Sequence, residues 1–127
     1  MLFCAIVPIL GTWYGIHVRI MARSTLLRFV EKLKGHKDQR AVKAALDSWF
    51  QEVKRAEWKN SVDVKARYAS ASIVGAERVV FNIKGNAYRL VVGVDYEHSI
   101  VFIEWLGTHK EYDAIDVRTI EHGTEAN

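Results

Sequence analysis

From Phe81 to Trp105 the chain alternates apolar and polar positions with a period of two, the pattern of strands with one buried face. Within FNIKGNAYRLVVGVDY, residues Phe81, Ile83, Tyr88, Leu90, Val92 and Val94 share that face. Gly85-Asn86 separates the two runs and signals a two-residue loop. Such a loop sets Lys84 against Ala87, Ile83 against Tyr88 and Asn82 against Arg89. Asn82 and Arg89 then stand side by side on the opposite face. A second turn, near Asp95 to Ser99, returns Val101, Ile103 and Trp105 to the apolar face and puts Glu104 on the Arg89 face. The polar run Thr108-His109-Lys110-Glu111-Tyr112-Asp113 follows at once.

Upstream the period changes. Val18 to Met21 reads as a short strand. Thr25 to Lys34 reads as a helix with Leu26, Phe29, Val30 and Leu33 on one side and Gly35 as its stop. Asp38 is a candidate cap for a second helix from Gln39 to about Ala56, where Val42, Leu46, Trp49, Phe50 and Val53 recur at helical spacing. The short Gly35–Asp38 link predicts a helical hairpin packed on the sheet. Trp58 to Ala76 shows little periodicity and is expected to be a long loop with a turn or two, leading into a strand from Arg78 to Ile83. It holds Lys65 and Arg67, which read equally as a binding loop or as a solvated connector. Beyond Asp113 the pattern fades: Ala114 to Val117 is expected to extend a short terminal helix. The expected class is α+β: an N-terminal helical hairpin on one face of a mainly antiparallel sheet of three to five strands.

Composition sharpens this reading in three ways. At 127 residues the chain has the length of one domain, with half its residues apolar. Its net charge of +3 is unevenly spread: 13 Lys/Arg face 6 Asp/Glu up to Arg67, and 5 face 9 from Tyr68 onward. That asymmetry fits a surface for phosphates or an acidic partner, and equally fits solvated helix faces. Cys4 is the single cysteine, and no Cys/His grouping has zinc spacing, so no metal and no cofactor are expected. Gly85-Asn86 lacks the spacing and following helix of a phosphate cradle. Met1 to Ile16 is uncharged, but Pro8, Gly11 and Gly15 interrupt it and it is short for a span. No membrane association is expected, and a cytoplasmic location is.

The stretch FNIKGNAYRLVVGVDY followed by VFIEWLGTHKEYD resembles the HigB group of toxins from bacterial toxin–antitoxin pairs, within the RelE-like superfamily. The likeness runs from about Val18 to Asp116. Val18-Arg19-Ile20-Met21-Ala22-Arg23-Ser24 resembles the start of such chains, and valine is how an internal GTG start codon is read. Residues 1–17 are therefore expected to be a mis-assigned extension, residues 18–117 the toxin domain and residues 118–127 a flexible tail. The resemblance implies a ribosome-associated endoribonuclease that cuts mRNA and is restrained by a helix-turn-helix, HigA-like antitoxin.

Metal-free RNA cleavage needs a base for the 2′-proton, positive charge on the phosphorane, and an acid for the leaving oxygen. Arg89 suits the phosphate, its fork matching two phosphoryl oxygens, although a cross-strand salt bridge with Glu104 is the competing use. His109 titrates near neutrality and suits either proton role, although a solvated or cap histidine looks the same. Tyr112 could donate a proton or stack on a base, or simply pack the short helix down. Glu111 is a possible base. Lys110, Lys65 and Arg67 could hold flanking phosphates, and Asn82 could orient Arg89 or bond substrate. The bland alternative for the whole set is a degenerate toxin that binds RNA or antitoxin without turnover.

Overall fold

The structure is a computed structural model that describes residues 18–120. The expected extension over residues 1–17 and the end of the expected tail lie outside the described residues. Among these residues five strands and four helices run in the order β1 (Arg19–Met21), α1 (Ser24–Lys32), α2 (Gln39–Lys54), α3 (Ser61–Arg67), β2 (Ser72–Val74), β3 (Arg78–Ile83), β4 (Tyr88–Asp95), β5 (Ile100–Thr108) and α4 (His109–Tyr112). The strands form one sheet in the order β1-β5-β4-β3-β2, with β1 parallel to β5 and every other pair antiparallel. This is the expected α+β class.

The helical hairpin forms where the apolar spacing placed it. Leu26 on α1 and Val42, Leu46, Trp49 and Val53 on α2 turn inward onto Phe81, Leu90, Val92, Val101 and Ile103. Trp49 meets Phe81 edge-on at 5.4 Å, and Phe29 meets Tyr88 at 5.7 Å. Each aromatic so buried removes on the order of 200 Å² from water and dominates its local packing. Gly35 adopts φ +84°, the left-handed turn that ends the first helix. Asp38 stands at the N-cap of α2, but its side chain makes no cap bond. Its carboxylate reaches the sheet instead, accepting from Tyr88 Oη at 3.0 Å and lying 3.5 Å from Lys84 Nζ.

Three expectations need correction. The stretch from Trp58 to Ala76 is not one long loop, because it contains α3 and β2. Asn60 caps α3 by accepting from the backbone N–H of Val62 (3.0 Å) and Asp63 (3.2 Å). Val64 and Ala71 are buried in the core on either side of half-buried Tyr68. Seven helical residues give too few turns for a period to show, so the Asn60-Ser61 cap signal was the legible clue.

Trp105 does not join the helix-side face. The register passes from Val91↔Trp105 to Val92↔Ile103, so one step on β4 spans two on β5 and Glu104 is the extra residue. This bulge shifts the alternation by one. Trp105 turns to the second face with Val80 and Val91, and Leu106 takes the helix-side place. Finally, Ala114 to Val117 does not extend α4, which ends at Tyr112. Ile115, Val117 and Ile120 pack on the second face instead.

Candidate active site

The site is built on the β3–β4 turn and the end of β5. Residues 84–87 close the hairpin through Ala87 N–H donating to the Lys84 carbonyl at 3.2 Å. Lys84 and Gly85 both take left-handed backbone, φ +54° and +63°. The register is the expected one, Asn82↔Arg89 and Ile83↔Tyr88. Across the other edge of β4, Arg89 stands opposite Gly107 and Tyr88 opposite Thr108. The chain therefore turns into α4 directly beside Arg89.

That turn is fixed by a capping box. Thr108 Oγ1 accepts from Glu111 N–H at 3.1 Å, and Glu111 Oε1 accepts from Thr108 N–H at 2.8 Å. His109 N–H donates to the Ala87 carbonyl at 2.9 Å, which ties the start of α4 to the hairpin turn. The sequence signal for this was the T-x-x-E spacing of Thr108 and Glu111.

Arg89 is half-buried, and its Nη1 donates to the carbonyls of Asn86 (2.9 Å) and Tyr88 (3.3 Å). Its guanidinium carbon lies 6.0 Å from the centre of the Tyr112 ring. Among the described residues its hydrogen bonds come from Nη1 alone, which leaves Nη2 and Nε as a second donor edge. Tyr112 also packs on Trp105 at 6.2 Å. It thus packs the short helix down on the sheet, as one of the two sequence readings had it, and lies beside the arginine. His109 is exposed, with Nδ1 3.7 Å from Asp113 Oδ2, and Lys110 beside it is exposed too. The salt bridge to Glu104 goes to Arg78, at 3.9 Å.

The remaining candidates fare differently. Glu111 is held by its cap bond, with Oε1 already accepting from Thr108. Asn82 lies across from Arg89 at the sheet edge, bordering a cleft shared with Ser48, Glu52, Tyr68 and Ser70. Lys65 and Arg67 are not brought to this corner. Both sit on α3, whose Val64 faces the helix-side core. Lys65 Nζ donates to the carbonyls of Ala69 and Ala71, each at 2.7 Å, and Arg67 pairs with Glu52 at 2.6 Å.

Burial, then the hydrogen bond and charge of Asp38, then the charge of Glu111 push the Tyr88 phenol above its ordinary value. Tyr88 therefore stays a neutral donor next to the arginine. Among the described residues no three His, Cys, Asp or Glu side chains gather as a metal site would need. Among them, too, no helix is long and apolar enough to cross a membrane.

Among curated proteins none matches the chain. A family model does, over residues 42–115, which is more than half of the chain and takes in most of α2, the β3–β4 hairpin, β5 and α4. Its description, a RelE-like toxic component of a toxin–antitoxin system, implies an antitoxin partner. With that match over more than half of its length, and with an open-sheet α+β architecture consistent with it, the chain belongs to the HigB toxin family.

Proposed function

We propose that the chain is an endoribonuclease that cuts mRNA by attack of the RNA's own 2′-hydroxyl, acting at the ribosome in the cytoplasm and restrained by a helix-turn-helix antitoxin. The observation that supports this best is the Arg89 guanidinium, held 6.0 Å from Tyr112 at the corner where His109 begins α4. In the reaction the 2′-oxygen bonds to phosphorus and the bond to the 5′-oxygen breaks. The 2′-proton passes to a base, and the departing 5′-oxygen takes a proton. The products are a 2′,3′-cyclic phosphate and a 5′-hydroxyl end.

The free edge of Arg89 receives the phosphoryl oxygens as they gain charge, a role its pH-independent charge suits. His109, exposed at the start of α4 beside this edge, moves a proton, since an imidazole can both accept and donate one. Tyr112 offers a ring face to a neighbouring base and Lys110 a charge to a flanking phosphate. Glu111 acts through the capping box, holding the peptide that presents His109.

Replacing Arg89 by Ala is expected to lower cleavage by roughly 100-fold or more, the usual cost of losing a transition-state donor. Induction of the variant should leave growth intact while its circular dichroism stays native. A folded Arg89→Ala protein that still arrests growth and still cuts mRNA overturns the proposal. Mapping mRNA ends after induction separates a nuclease from a protein that only binds.

A further inference from the structure

The end of the molecule next to the site is cationic beyond what catalysis uses. Four contacts make it one continuous surface. Asp38, in the α1–α2 link, touches both Tyr88 Oη (3.0 Å) and Lys84 Nζ (3.5 Å) of the β3–β4 hairpin. The same hairpin turn accepts from Arg89 at Asn86 and from His109 at Ala87. Lys34, Lys37, Arg40, Lys84, Arg89 and Lys110 therefore sit on one end of the fold.

The carboxylates at this end are already engaged: Asp38 with Tyr88 and Lys84, Glu111 with the Thr108 peptide, and Asp113 near His109. Lys34, Lys37 and Arg40 are exposed, and no carboxylate lies within ion-pair distance of them among the described residues. Lys65 and Arg67, in contrast, spend their donors on the protein itself. Like charges kept adjacent without partners raise the local potential toward a polyanion.

We infer that the RNA strand leaves the Arg89 corner across the β3–β4 turn and runs onto the α1–α2 link, where Lys34, Lys37 and Arg40 hold its flanking phosphates. This rests on the endoribonuclease reading and adds to it a path for the strand. The partner is the cleaved strand itself, bound through its phosphates without base reading, because ammonium and guanidinium groups on an open link contact the backbone.

The test compares two variants of equal charge. The first is Lys34→Gln/Lys37→Gln/Arg40→Gln. The second, Lys54→Gln/Arg55→Gln/Lys59→Gln, alters the far end of α2 and the link that follows it, about 24 Å along the helix at 1.5 Å per residue. Binding of fully 2′-O-methylated single-stranded RNA, which cannot be cut, is followed by fluorescence anisotropy against salt. Each phosphate contact contributes about 0.7 to the slope of log K on log salt, so the link variant should lose about 2 in slope on a long strand. It should bind a trinucleotide as the parent does, and the far-end variant should differ little on either.

Equal slopes for the two variants on the long strand overturn the path. So does a link variant that binds free RNA normally and loses affinity only for ribosomes or only for the antitoxin, since the surface then belongs to that partner. Cleavage lost in Arg89→Ala but retained with an unchanged slope in the link variant sinks the path alone. Cleavage retained in Arg89→Ala sinks the parent reading.

Discussion

Gly107 faces Arg89 across the ladder, and the Trp105 indole lies over it. A Cβ there would stand 2.5 Å from Trp105 Cη2, 2.7 Å from Cζ2 and 2.9 Å from Glu111 Oε1. Trp105 is 2% exposed, wedged between Val80, Val91 and Tyr112, so it has little room to withdraw. Gly107→Ala is expected to cost about 1–3 kcal/mol, the usual range for forcing a methyl into a packed site. Urea unfolding would register this as a lower midpoint at unchanged slope, and an unmoved midpoint would contradict the close approach. A glycine inside a strand run was legible as a site of tight packing, but what would press on it was not. Arg89 and His109 were legible as polar groups beside the sheet. The anchoring of Arg89 on the Asn86 and Tyr88 carbonyls was not, because backbone acceptors leave no mark on a sequence.

Among the elements, β5 and the segment after α4 depend on each other. Ile115, Val117 and Ile120 close over Val80, Val91 and Trp105, and the segment has no ladder of its own there. Arg78 supplies the missing donors: Nη1 bonds the carbonyls of Val117 (3.2 Å) and Ile120. Bonds from a charged, half-buried donor contribute about 1.5–3 kcal/mol each. Arg78→Ala should therefore speed amide exchange over residues 115–120 by at least roughly tenfold, while α2 amides keep their protection. Uniform protection along the chain in that variant would show that apolar contact alone holds the segment. The sequence pattern ended at Asp113 because three apolar residues at irregular spacing have no period. They are ordered by a partner 39 to 42 residues away. The bulge at Glu104 escaped for a related reason: Val91 and Val92 are both apolar, so either register buries something.

For the molecule as a whole, Asp38 links the helical layer to the sheet. The Tyr88 hydroxyl, with help from the charges of Lys84 and His36, holds its carboxyl below the ordinary aspartate value against a smaller opposing effect of burial. A carboxyl lowered by folding stabilises the native state above its unfolded pKa of about 4, and that stability is lost as pH falls through the lower folded value. Asp38→Asn should thus be less stable than the parent at neutral pH, and the gap should shrink below about pH 4. Denaturation midpoints measured across that range decide it. A gap that stays constant through the carboxylate range would mean the charge is not what joins the layers.

The residues by themselves determined β1, β3, β4 and β5, the helical hairpin and the Asn82↔Arg89 register, because alternation, helical spacing and a Gly-Asn turn are local properties that act before any tertiary contact. They also determined the family, through the stretch that runs from the hairpin into THKEYD. Tertiary structure alone decided which face Trp105 occupies, that Asp38 serves the sheet in place of its own helix, and that Lys65 and Arg67 stay with α3. Those outcomes are choices between competing partners, made by packing and by hydrogen bonding in three dimensions, and neither force is encoded in the spacing of neighbours.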